Sequence, residues 1–92
     1  VNAPTAIQSL PQDEVKIFPN PTVQKLVIDY DLPTANRVIF TLLNATGQTL
    51  KTWEERGNKN RTEIIIADYP VGTYFLKYQT KTKIHSLKFI KQ

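Results

Sequence analysis

The sequence predicts an all-β fold, an antiparallel sandwich of seven short strands. Three observations carry this. Apolar residues recur at every second position within short runs, the period of a half-buried strand. The runs begin mostly about ten to twelve residues apart and are separated by turn residues. β-Branched and aromatic residues dominate them, and no helical period outlasts a single turn.

Residues 1–14 hold two prolines, scattered apolar residues and no period, and read as a linker to a preceding domain. The first strand, 15–18, stops at Pro19-Asn20-Pro21, where two prolines fix φ and remove two amide donors. Asn20 between them tolerates unusual backbone angles. The second strand, 25–30, sets Leu26, Ile28 and Tyr30 on one face and ends in a turn over 32–36. The third, 37–43, points Val38, Phe40 and Leu42 inward and ends at Asn44-Ala45-Thr46-Gly47, with Gly47 free to take positive φ. The fourth, 49–54, leads into a polar loop over 55–60. The fifth, 61–66, buries Ile64 and Ile66.

Asp68-Tyr69-Pro70-Val71-Gly72 punctuates the chain next; Pro70 pre-sets a turn and Gly72 takes angles a side chain resists. The sixth strand, 73–79, alternates with Tyr74, Leu76 and Tyr78 inward. The seventh, 83–91, is the least regular. Leu87 and Phe89 share one face, Ile84 and Ile90 the other, and a bulge near Ser86 is expected to bring Ile84 to the Leu87 side.

At 10.5 kDa this is one small domain, able to hide roughly 60–65% of its unfolded surface. The sequence holds no cysteine, which excludes disulfides and thiolate chemistry, and a single histidine, His85, which excludes a multi-histidine metal site. The longest nearly apolar run is 38–43, far short of the ~20 residues of a membrane helix. Eight barrel strands of ~9–11 residues would leave nothing for turns. Membrane insertion is therefore not expected. The chain begins without methionine and reads as a piece of something longer.

The net charge is +4, and all of the basic excess lies at one end. The last 16 residues carry five lysines and no acid, while the other 76 carry seven bases against eight acids. Two readings stay open: an edge kept soluble by lysine, or a docking surface for an acidic partner or an anionic envelope. Nucleic acid is not indicated, because no arginine cluster or aromatic-interleaved basic motif is present.

Four short motifs follow one another along the chain. They are Ile17-Phe18-Pro19-Asn20-Pro21, then Leu42-Leu43-Asn44-Ala45-Thr46-Gly47, then Tyr69-Pro70-Val71-Gly72-Thr73-Tyr74-Phe75-Leu76-Lys77, and finally Lys88-Phe89-Ile90-Lys91-Gln92. In this order and spacing they resemble the C-terminal sorting domain of the type IX secretion system, type A of the Por secretion system family. That family reads hydrophobic-aromatic-Pro-Asn-Pro, an aspartate turn closed by glycine, Pro-x-Gly-x-Tyr followed by hydrophobic-lysine, and a short basic-apolar end. The resemblance covers residues 15–92. Asn44 stands where the family often has aspartate, and both residue types cap turns.

The resemblance implies an immunoglobulin-like sandwich that is not an enzyme but a folded secretion signal. Its recognition and motif residues would be Pro19, Asn20, Pro21, Asn44, Gly47, Pro70, Gly72, Tyr74, Lys77, Lys88, Phe89, Ile90, Lys91 and Gln92, with Lys88, Lys91 and Gln92 reachable from solvent. It implies a cargo protein fused N-terminally, passage through the periplasm, and an outer-membrane translocon as partner. A sortase-like cysteine endopeptidase would remove the domain by cutting in or before residues 1–14, leaving cargo at the cell surface or secreted. The alternative is a fibronectin-like or immunoglobulin-like accessory module of a secreted enzyme, binding glycan or protein through aromatics near Trp53 and Tyr69.

Catalytic chemistry finds little to work with. His85 and Ser86 are adjacent, so a strand points them to opposite faces and the imidazole cannot take the serine proton. Asp29 and Asp31 share a face, but two carboxylates are too few for calcium. Gly47, Gly57 and Gly72 form no phosphate loop. Asn44-Ala45-Thr46 and Asn60-Arg61-Thr62 match glycosylation acceptors and read as turn chemistry. No cofactor and no metal is expected.

Overall fold

A computed structural model describes residues 14–33 and 35–92. Its strands are β1 (Glu14–Phe18), β2 (Lys25–Asp31), β3 (Arg37–Asn44), β4 (Thr49–Arg56), β5 (Lys59–Ile65), β6 (Gly72–Gln79) and β7 (Ile84–Lys91). They form a three-stranded sheet, β1-β2-β5, and a four-stranded sheet, β4-β3-β6-β7. Every strand pairing in the two sheets is antiparallel. The all-β, immunoglobulin-like sandwich of seven antiparallel strands is therefore the fold of this chain.

The period-two pattern decides what lies between the sheets. Leu26, Ile28 and Tyr30 from β2 meet Val38, Phe40 and Leu42 from β3, with Tyr74, Leu76 and Tyr78 from β6; all are buried. The Tyr30 ring meets Phe40 edge-on at 5.4 Å between centroids, which ties one sheet to the other. A polar tie sits beside it. Glu55 accepts hydrogen bonds from the Tyr30 hydroxyl (2.9 Å) and the Trp53 indole nitrogen (3.0 Å), so one carboxylate bridges the two sheets. Trp53 lies half-buried over Phe40, at 5.4 Å, as a lid on the core.

The chain departs from the sequence reading over residues 55–60 and in the placing of its bulge. The linker expected over 1–14 lies outside the described residues except for Glu14, which begins β1 opposite Asp31. The polar loop expected over 55–60 is mostly strand: β4 runs to Arg56 and β5 resumes at Lys59. Only Gly57 and Asn58 carry the chain from one sheet to the other, and Gly57 has φ near 100°, which a side chain resists. The bulge expected near Ser86 is absent, because β7 pairs with β6 in unbroken register from Ile84 to Lys91. The extra residue lies in β4 instead, where Leu50 is passed over between the Leu42–Lys51 and Leu43–Thr49 pairs. Ile84 thus stays on the outer face, 62% exposed.

Two outcomes test this packing. Phe40→Ala empties a fully buried site and is expected to cost about 3–5 kcal/mol in urea unfolding, whereas Phe18→Ala, at a ring already 37% exposed, should cost much less. The second is pH-dependent. Burial first, and the Glu55 carboxylate second, push the Tyr30 hydroxyl up to about 12 from its ordinary 10.0. A raised pKa means the folded state holds this proton more tightly. Its contribution is therefore complete below pH 10 and disappears as pH rises toward 12. Tyr30→Phe should flatten the alkaline part of the stability profile, measured by urea midpoints from pH 8 upward.

Candidate functional site

The four motifs, up to 70 residues apart along the chain, meet at one end of the sandwich. β7 is the element on which they converge. On one side it pairs with β6, from Gly72 opposite Lys91 to Gln79 opposite Ile84. On the other side the end of β7 is covered by the segment that follows the first two prolines. The Thr22 amide donates to the Ile90 carbonyl (2.9 Å) and the Gln92 amide donates to the Thr22 carbonyl (2.8 Å), forming a parallel bridge between Thr22 and Lys91.

Asn20 continues this pairing with its side chain. Its Oδ1 accepts from the Ile90 amide (3.0 Å), and its Nδ2 donates to the Lys88 carbonyl at a longer 3.4 Å. A carboxamide offers the same donor and acceptor as a peptide group, so Asn20 replaces a strand residue where the prolines offer no N–H. Both flanking bonds, Phe18-Pro19 and Asn20-Pro21, are cis. Thr22 is 1% exposed, and its hydroxyl donates to the Lys25 carbonyl, which fixes the entry into β2. Nothing in the sequence pattern singles out Thr22; its partner sits almost at the far end of the chain.

The third motif holds the opposite side of β7. Gly72 opens β6 with φ of 155°, and two residues later Tyr74 turns inward. The Tyr74 ring stacks on Phe89 at 5.6 Å, and its hydroxyl donates to the Pro70 carbonyl, closing the turn. Burial, with Tyr69 nearby, raises the pKa of that hydroxyl. The second motif reaches Tyr74 through Asn44, its cross-strand partner. Asn44 Oδ1 accepts from the Thr46 amide and hydroxyl (3.1 and 2.8 Å) and from the Gln48 amide (3.0 Å). A carboxylate oxygen accepts the same three bonds, which explains why asparagine and aspartate both serve here. Gly47 completes the turn at φ 88°. A shallow groove of about 250 Å³ lies between this turn and residues 69–74.

Strand alternation then sorts the motif residues. Tyr74, Phe89 and Lys91 face the interior; Lys77, Lys88 and Ile90 face outward on the four-stranded sheet. This corrects one expectation. Lys91 is only 8% exposed, not reachable, because it shares the inward face with Phe89 and is flanked by Gly72 and Thr22. Lys88 and Gln92 are exposed, as expected, and so are Pro19, Asn20, Pro21, Gly47 and Pro70.

The other candidates scatter. His85 and Ser86 take opposite faces of β7, and the imidazole lies 5.8 Å from the Tyr78 ring. Asp29 pairs with Arg61 at 2.9 Å. Among the described residues no three His, Cys, Asp or Glu side chains gather as metal ligands, and no helix is long and apolar enough to cross a membrane. Trp53 and Tyr69, the aromatics of the alternative module, are both half-buried against the core.

A family model described as secretion system C-terminal sorting domain matches residues 16–92. The chain belongs to this family. It is a sorting domain of type IX secretion, which directs proteins to the exterior or the outer surface of the cell. No curated protein is similar enough to match. The sorting domain's matched span begins within β1 and runs to the final residue, so it includes every contact made by Asn20 and Thr22.

Removing the Asn20 side chain leaves the Ile90 amide and the Lys88 carbonyl without their protein partner. Asn20→Ala should cost about 0.5–1.5 kcal/mol in urea unfolding, because both bonds lie where water can replace the lost partner. Asn20→Asp keeps the acceptor for Ile90 and loses the donor to Lys88, so its midpoint should fall between the two.

Proposed function

We propose that the sorting domain is read as a folded object at the end of β7, and that its cargo is carried through an outer-membrane translocon after crossing the periplasm. The observation that supports this is the convergence of the first and third motifs on residues 88–92, the fourth motif, with the second joined to them through Tyr74. Sequence motifs brought from separate turns to one end of the sandwich form a shape that an unfolded tail does not have. Only a domain whose first and last segments are both complete presents it, which suits a signal that certifies a finished cargo.

In this reading the cargo is joined upstream of β1, and a sortase-like cysteine endopeptidase separates the two by cutting in or before residues 1–14, ahead of the paired strands, which do not fit a protease cleft. The domain itself performs no chemistry. Its contribution is shape, an exposed Lys88 and Gln92, and the two prolines that hold the Asn20–Thr22 cover in place.

The test is gain of function. A periplasmic reporter is given these 92 residues at its C-terminus and expressed in a cell with type IX secretion. It should reach the surface, while the same fusion lacking residues 88–92 stays in the periplasm. The surface product should end in or before residues 1–14 by mass spectrometry. Failure of the full fusion to leave the periplasm, or delivery without residues 88–92, would overturn the proposal.

A further inference from the structure

The two outer faces of the sandwich differ in charge. On the three-stranded sheet the outward residues carry four bases and four acids, arranged as neighbours. Lys16 lies 3.5 Å from Glu14, Lys25 lies 3.4 Å from Glu63, Arg61 lies 2.9 Å from Asp29, and Lys59 stands opposite Asp31. That face is neutral and internally compensated. On the four-stranded sheet the outward strand residues carry four bases, Arg37, Arg56, Lys77 and Lys88, against one acid, Glu54. Glu54 is shared by Arg37 (3.5 Å) and Arg56 (3.9 Å), which stand opposite each other in register. Lys77 and Lys88 have no acid in their own cross-strand rows.

This face also has an apolar centre. Leu43 and Phe75 are direct cross-strand partners, and Ile90 lies diagonal to Phe75 on β7. All three are half-buried although no layer of the described residues covers them. The exposed ring on the opposite face, Phe18, is instead partly covered by the Arg61 guanidinium at 5.5 Å. An apolar centre beside an uncompensated excess of one charge is the arrangement of a protein-docking surface. A polyanionic chain would need the charge alone.

From these observations, and resting on the sorting reading above, we infer that the outer face of the four-stranded sheet docks an acidic protein surface, with Phe75, Leu43 and Ile90 at its centre and Lys77 and Lys88 as its cationic rim. Strand spacing and rise give this face an area of roughly 400–500 Å², below the ~800 Å² per partner of a standard interface. The contact is therefore transient and salt-sensitive, as a carrier that must let go requires. The motif residues fit the same division. Those turned inward build the end of β7, and those turned outward, Lys77, Lys88 and Ile90, belong to the docking face.

The experiment uses the full reporter fusion in secreting cells. Lys77→Glu with Lys88→Glu is compared with Lys16→Glu with Lys59→Glu, the same charge change on the neutral face. The first pair should reduce surface delivery at least tenfold with the melting temperature unchanged; the second should export normally. Should the glutamate pair lower the melting temperature, Lys77→Gln with Lys88→Gln is scored instead. A photo-cross-linking residue at position 75 should in addition trap a protein through an Asp- and Glu-rich peptide identified by mass spectrometry. Equal export of both charge pairs, or an adduct with glycan or lipid, overturns the inference. Loss of delivery on removing residues 88–92 combined with normal export of the Lys77/Lys88 variant would reject this face and leave the sorting reading intact.

Discussion

The backbone of β7 is paired on both sides at its end, and most of what is distinctive in this chain depends on that. A final strand held only by its hairpin partner would be an open edge, free to fray and to pair with other chains. Here the Thr22–Lys91 bridge and the Asn20 carboxamide occupy the free side over residues 88–92. The two segments that make this contact come from opposite ends of the described chain. The contact ties the segment between β1 and β2, in one sheet, to β7 in the other, so the end of β7 reports on the docking of the two sheets.

This explains the residue types around the first motif. Proline at 19 and 21 removes backbone donors that a covering strand would otherwise aim at solvent or at β7. The one residue between them then has to supply pairing with its side chain, and asparagine has both a donor and an acceptor in peptide-like geometry. Behind it, Tyr74 on Phe89 fixes the position of β7 from the core side. One side of the strand end is fixed by hydrogen bonds and the inner face by a ring stack, leaving the outer face for contact with a partner.

Much of this was legible in the sequence, because period-two alternation is a local property. It correctly oriented Leu26, Ile28, Phe40, Leu42, Tyr74 and Leu76, and the turn residues bounded the strands to within a few positions. The failures share one cause. The irregular apolar spacing of β7 invited a bulge, yet its register is dictated by β6, and the bulge is absorbed by β4. The polar stretch 55–60 looked like a loop because both of its strands are sheet edges, where polar side chains are tolerated. Lys91 looked exposed because it is a lysine at the end of a chain; its burial comes from Thr22, which local pattern does not connect to it. The meeting of the motifs was likewise invisible, since spacing along the chain does not show which strand end they share.

Amide hydrogen exchange on the wild-type domain tests the central point most directly. The amides of Phe89 and Lys91 and those of Ile90 and Gln92 point to opposite sides of β7, toward β6 and toward the Asn20–Thr22 segment. If the strand end is locked on both sides, Ile90 and Gln92 should exchange as slowly as Phe89 and Lys91, opening only with the sandwich. Rapid exchange of Ile90 and Gln92 beside protected Phe89 and Lys91 would mean a strand paired on one side only, and would contradict a signal built from the joined ends of the domain.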